Sequence, residues 1–162
     1  MKRTVCIILL MAMILSGCGV HGERIKEPVV FYYIRDAYEK DMSEIFDSEI
    51  REAAGHKNDL PYLLALYTMG PSKEDLRTPL PPGTMVTPTE HTAAGLVLAL
   101  SDAAQAMTEA EFTLAAACLA MTVMEWSDIP SVTVTCEGRS ILINADNLLL
   151  QDTGLSEPMG GK

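Results

Sequence analysis

Residues 62–84 read YLLALYTMGPSKEDLRTPLPPGT, a leucine-rich run that stops at Gly70 and Pro71 and is succeeded by a proline-dense exit. Upstream, Asp59 stands where a helix N-cap accepts a free amide, and Pro61 falls in the first turn. The spacing therefore predicts a helix from Asp59 that ends at Gly70. Ser72 to Leu76 fits one capped turn, with Asp75 three residues after Ser72 to return a hydrogen bond. Pro82 and Gly83 suit the two central positions of a type II turn, one needing a fixed negative φ and the next a positive one. The chain is thus aimed stiffly into the segment that begins at Thr84.

That segment reads as an antiparallel hairpin, Thr84 to Thr89 and Leu96 to Leu100, turning near Ala94 and Gly95. Pro88 cannot donate to a ladder, which confines its strand to an edge. TEAE at Thr108 to Glu111 has capping-box spacing and opens the longest helix, about Thr108 to Trp126. VTVTCEGRSILIN then alternates Val132, Val134 and Cys136 against Thr133 and Thr135, turns near Gly138, and continues through Ile141 and Ile143 as a second hairpin.

In the other direction, VVFYYI from Val29 to Ile34 is β-branched and aromatic, the composition of a well-buried strand. Between it and the first helix, Ile45, Phe46, Ile50 and Ala53 recur near helical spacing before Gly55, so Asp41 to Ala54 is expected to be an amphipathic helix. On that expectation Glu44, Asp47 and Glu49 form its solvated face. The order β-α-α-β-β-α-β-β argues an α+β class, a small mixed sheet with helices packed on it.

The N-terminus sets the address. Lys2 and Arg3 precede an apolar run from Val5 to Leu15, and Ser16, Gly17 and Cys18 come next. This is a secretory signal layout, too short for a spanning helix, which needs roughly 20 residues. LSGC, Leu15 to Cys18, resembles the bacterial lipobox, whose cysteine receives a diacylglycerol and anchors durably with a second acyl chain. The expected organisation is a signal peptide over 1–17, a polar tether over 18–27, a folded domain over 28–152 and a flexible tail over 153–162. The protein is expected at the outer face of the cell membrane, held by lipid on Cys18.

Loss of residues 1–17 removes two positive and no negative charges, taking the net charge from -10 to -12. So acidic a chain lacks the basic face that nucleic acid requires, and an anionic membrane surface repels it. Of four cysteines, Cys6 leaves with the signal and Cys18 is acylated. Cys118 and Cys136 remain, either bridged in an oxidising compartment or buried as free thiols. His21, His56 and His91 share no metal-ligand spacing, and neither a Gly-x-Ser-x-Gly elbow nor a phosphate loop is present. No catalytic residue, metal or cofactor is expected.

The stretch LPYLLALYTMGPSKEDLRTPLPPGTMV, the hairpin ending in LALS and the helix TEAEFTLAAACLAMTV together resemble the GerMN domain of bacterial spore-germination and sporulation lipoproteins. The likeness covers roughly residues 28–151. It implies a fold similar to ring-building motifs and a non-catalytic role in envelope assembly outside the membrane, through protein partners or self-association. A cell-wall fragment or other small ligand is the alternative, and a carboxylate-dependent hydrolase the least favoured. The long helix carries two apolar stripes, one through Phe112, Ala115, Leu119, Val123 and Trp126 and one through Leu114, Ala117, Cys118 and Met121. A helix apolar nearly all round is buried on more than one side. Leu114, Cys118 and Met121 are the candidates for a face that meets a second protein.

Overall fold

The strand expected at VVFYYI forms as β1, Pro28–Arg35, and the rest of the molecule is arranged around its two edges. A computed structural model describes residues 26–36 and 45–145. The expected signal peptide, Cys18, most of the tether and the tail lie outside these residues. Along one edge β1 pairs antiparallel with β2, Phe46–Glu52, over its length from Pro28↔Glu52 to Ile34↔Phe46. Along the other it pairs only at its end, Ile34↔Arg77 and Arg35↔Leu76, with the two-residue β3.

β2 corrects the expected helix at 41–54 over the residues described there, 45–54, whereas Glu44 lies outside them. Its backbone is extended, and Asp47, Glu49 and Arg51 alternate with Phe46, Ser48 and Ile50 across the sheet. Helical spacing among four apolar residues is a weak signal, and a full-length ladder against β1 outweighs it. The alternation is inverted: Glu49 is buried, whereas Ile50 is 57% exposed. The solvated face expected for Glu49 is thus an inward one.

The first helix, α1, spans Leu60–Thr68, with the Asp59 carboxylate accepting from Tyr62 N–H at 3.2 Å and Pro61 in the first turn. Gly70, at φ +85°, ends it. The type II turn forms as read, with Thr84 N–H on Pro81 O at 3.1 Å and Gly83 at φ +80°.

β4 (Val86–Thr92) and β5 (Gly95–Leu100) make the first hairpin, and β6 (Ser131–Cys136) and β7 (Arg139–Asn144) the second. They join through a parallel β5–β6 pair into a sheet of order β4-β5-β6-β7. β4 lies at an edge, with a bulge between Pro88 and Glu90. The crossover between the parallel strands carries a 3-10 turn, Asp102–Ala104, and α2, Glu109–Trp126. The capping box opens α2 as expected: Thr108 N–H donates to Glu111 Oε2 at 2.8 Å, and Glu111 N–H donates to Thr108 Oγ1 at 3.3 Å. The class is α+β, with two sheets in place of one.

α2 belongs to both sheets. Phe112, Ala115, Ala116, Leu119, Ala120 and Val123 are buried in one core with Leu96, Leu98, Val132 and Val134 of the four-stranded sheet. The same helix reaches β1, where Tyr32 N–H donates to Thr122 Oγ1 at 2.9 Å and Trp126 Nε1–H donates to Val30 O at 2.7 Å. Arg35 N–H points to Ile45 O and Asp36 N–H to Asp75 O, so odd residues of β1 face β2 and even residues face the other edge. β3 is too short to reach Val30 and Tyr32. Two side chains of α2 take the place of a strand there, because buried backbone polar groups must be paired. Trp126 also meets Phe31 edge-on at 5.1 Å, and Tyr33 stacks on Tyr67 of α1 at 4.9 Å.

Replacing Thr122 with Val keeps the shape but leaves the Tyr32 amide unpaired. We expect a loss of about 1–3 kcal/mol, the cost of orphaning a buried donor. Thr122→Ser, which keeps the acceptor, is expected to lose less. Urea unfolding of the two variants checks this, and equal losses would contradict it.

Candidate functional site

The C-terminal half of α2 divides its side chains between two jobs. Thr122, Val123 and Trp126 turn toward β1 and the core, which leaves Met121, Met124 and Glu125 on the outer face at i, i+3 and i+4. Tyr32 stands beside them, and Ile129 comes from the segment that leads from α2 into β6. Together with Asp128, Pro130 and Ala145 they line an open groove of about 610 Å³. Met121, Met124, Tyr32 and Ile129 are all half-buried, so the groove is apolar and wet. Glu125 and Asp128 stand exposed beside it. A second recess of about 160 Å³, bordered by Val30, Lys57 and Trp126, adjoins it across the shared Glu125.

This surface can hold apolar side chains and favours positive groups near its acidic residues. Methionine has three rotatable bonds and a polarizable sulfur, which lets such a floor fit more than one shape. Burial, and then the charge of Glu125, push the Tyr32 hydroxyl above its ordinary range. Tyr32 therefore stays a neutral donor at physiological pH.

The neighbouring scaffold is polar and tightly tied. The Arg51 guanidinium lies 5.3 Å from the Phe31 ring centroid and 5.8 Å from that of Tyr33. It donates to Leu66 O at 3.1 Å, to Gly70 O and to the Glu49 carboxylate. Glu49 in turn accepts from Ser72 N–H at 2.9 Å and Lys73 N–H at 3.1 Å. The carbonyls at the end of α1 and the amides of the adjoining turn are thus held by one ion pair on β2. The cap expected from Asp75 is supplied by Glu49. At the far end of β2, Asp47 accepts from Ser48 N–H at 2.7 Å and from Arg35 at 3.0 Å.

Of the residues picked from sequence for a contact face, Met121 lies in the groove and Leu114 is half-buried higher on α2. Cys118 has no exposed surface, and its polar neighbour is the buried Tyr67 hydroxyl. Burial pushes both groups well above their ordinary ranges. Cys136 closes β6, and both thiols are buried and unbridged. Cys18 and His21 lie outside the described residues. His56 stacks on Tyr62 at 4.2 Å near Asp59, whereas His91 is on the exposed edge strand β4. Among the described residues, no three His, Cys, Asp or Glu side chains are grouped to hold a metal ion, and no helix is long and apolar enough to cross a membrane. Tyr32 and Ile129 carry no signal of their own in the sequence. Met121 and Met124 at i, i+3 give the one local hint.

The family described as Germane, sporulation and spore germination, matches this chain over residues 30–142. Among solved structures, the tandem GerMN domains of the sporulation protein GerM from Bacillus subtilis are similar at 17% identity and a TM-score of 0.48. The match covers 74% of this chain and 42% of that one, so this chain spans less than half of it. The first GerMN domain of the same protein, at 15% identity and a TM-score of 0.46, is covered to 86% by 70% of this chain. A candidate lipoprotein from Clostridium perfringens is similar at 14% identity and a TM-score of 0.46, over 74% of this chain and 88% of that one. No curated protein matches.

Two outcomes are expected from the scaffold. Arg51→Met strips the donors from Gly70 and Leu66 and leaves Glu49 buried without its cation, costing roughly 3–5 kcal/mol in urea unfolding. The double variant with Glu49→Gln should cost less than the sum of the singles, a coupling that additive losses would exclude. The Ser48 amide, then Arg35, hold the Asp47 carboxyl below its ordinary 3.8. A carboxyl depressed on folding contributes stability above its unfolded value, lost as pH falls through the folded one. Asp47→Asn should therefore lose less stability than the parent between pH 5 and 3, read from urea midpoints.

Proposed function

The chain belongs to the Germane family of sporulation and spore germination, and we propose that it is a lipid-anchored module that works by protein contact in envelope assembly. Anchoring is drawn from the signal layout that ends at Cys18. Lipid there holds an acidic domain at the outer face of a membrane that its own charge would avoid. The domain carries out no chemistry of its own. Its working surface is the groove over Tyr32, Met121, Met124 and Ile129.

That groove is the observation that carries the reading. Its floor is built from adaptable apolar side chains, and the polar groups at its rim are carboxylates. The partner that fits is an apolar protein segment flanked by basic residues, since Glu125 and Asp128 favour positive charge and disfavour another acidic surface. An anchored partner is already concentrated at the same membrane, so a modest contact area suffices.

The test uses full-length chain in a spore-forming host. Met121→Glu with Met124→Glu should lower spore yield or germination while cellular abundance stays unchanged, because interface anchors of this kind cost more than ~1 kcal/mol each in binding. Cys18→Ser should release the chain from the membrane fraction with a similar defect. Normal sporulation and germination in both variants would contradict the reading. So would a groove variant that loses a thermal shift given by muropeptides, which would make this a small-ligand site.

A further inference from the structure

The edge of β1 that faces away from β2 is finished in three ways along its length. β3 pairs with Ile34 and Arg35, and the side chains of Thr122 and Trp126 take the Tyr32 amide and the Val30 carbonyl. Beyond Trp126, no group among the described residues takes the Val30 amide or the Pro28 carbonyl. We propose that this last stretch is a binding site for the C-terminal residue of a protein chain, seated in the recess of about 160 Å³ bordered by Val30, Lys57 and Trp126. The site lies beside the groove and does not rest on the function assigned to it.

Backbone geometry sets what fits. The odd residues of β1 are bonded to β2, so the Val30 amide and the Pro28 carbonyl both point to the open edge. Val30 is half-buried, and a donor so placed calls for an acceptor. Two such groups on either side of Val29 are met by one residue of a parallel strand, which donates its N–H to the Pro28 carbonyl and accepts from the Val30 amide. An antiparallel partner would need the Val30 carbonyl, and Trp126 Nε1–H already holds it at 2.7 Å. The same indole stands where the next residue of a parallel chain would go, so the incoming chain has to stop there. What fits is a single extended residue whose carbonyl end is the end of its chain.

Charge agrees with a chain end. Lys57 borders the recess and forms no ion pair among the described residues, which leaves its ammonium to a carboxylate that also accepts from the Val30 amide. A hydrogen bond to a charged acceptor is about twice as strong as a neutral one. Glu125, on the wall shared with the groove, opposes negative charge, so one carboxylate is accepted only where Lys57 can reach it. The Trp126 ring gives the terminal side chain an apolar wall, and the recess has room for one residue rather than a longer segment. Backbone amides and a cation at the rim are the means by which peptide-binding domains capture a terminal carboxylate.

An amide NMR titration of isotope-labelled full-length chain in detergent reads the site directly. The probes are N-acetyl-L-leucine, which carries the carboxylate, N-acetyl-L-leucinamide, which does not, and N-acetyl-D-leucine. The first should give saturable shifts at the Val30 amide and the Trp126 indole N–H while Phe112, buried elsewhere on α2, stays unmoved. The amide should bind several-fold more weakly. Lys57→Met should weaken the acid several-fold, Lys57→Arg should keep it, and Glu125→Gln should tighten it, since a repelling charge is gone. Added salt should weaken the acid in the parent, because Lys57 is exposed. Absence of a saturable shift at Val30, or equal binding of acid and amide, overturns the proposal. So does tighter binding of the D enantiomer, which would assign the recess to a wall peptide rather than a protein end. Met121→Glu with Met124→Glu should leave the titration unchanged, so failure of the groove reading shows only in the spore phenotype and failure of this site only here.

Discussion

A strand whose edge is finished by a helix is the constraint on which this structure turns. β1 has a full partner on one side and only two residues of β3 on the other, so the amide of Tyr32 and the carbonyl of Val30 face a gap. Thr122 and Trp126 fill it, each with a polar atom carried on an otherwise apolar helix. The helix that crosses between β5 and β6 is thereby pinned to the three-stranded sheet as well, and the two sheets share one core. With Thr122, Val123 and Trp126 committed inward, helical geometry leaves Met121, Met124 and Glu125 outward. The groove is the other side of that suture.

The second fixed point is the ion pair on β2. An edge strand with charges turned inward is poorly disposed to pair with a further strand, and Glu49 with Arg51 has that arrangement. The same pair secures the end of α1 and the turn after it, which accounts for the abrupt stop at Gly70 and Pro71. The helix ends where its last carbonyls can be taken by Arg51, and the turn begins where its amides can be taken by Glu49. On the other sheet, Pro88 and the bulge beside it serve the edge at β4 in a different way.

Local signals are legible in the sequence wherever they are chemical and short-ranged. Asp59 with Pro61, Thr108 with Glu111, and Pro82 with Gly83 each satisfy backbone groups within four residues, and each forms as expected. β1 and both hairpins are readable from side-chain type and alternation. β2 reads wrongly as a helix because its pattern is inverted, with Glu49 and Arg51 inward and Ile50 outward, and what makes that tolerable is a set of partners 15 to 24 residues away. Thr122 is hidden for the same reason, since its partner in β1 lies 90 residues upstream. The groove is half visible: Met121 stands out, whereas Tyr32 and Ile129 reach it from other elements and give no sign in their own neighbourhoods. Cys118, which stands out with Met121, is one helical turn away and fully enclosed.

Fold and proposed function meet at the outer face of α2, where a family concerned with sporulation and spore germination supplies the setting and the groove is the surface proposed for contact. That surface exists only if the helix is held against β1 by its own side chains. Amide hydrogen exchange at Tyr32 measures this most directly, since this amide has no strand partner and only Thr122 to protect it. The account predicts slow exchange at Tyr32, comparable to Phe31 and Tyr33, whose amides face β2. Exchange at Tyr32 near the rate of an unprotected peptide, with Phe31 and Tyr33 still protected, would contradict it.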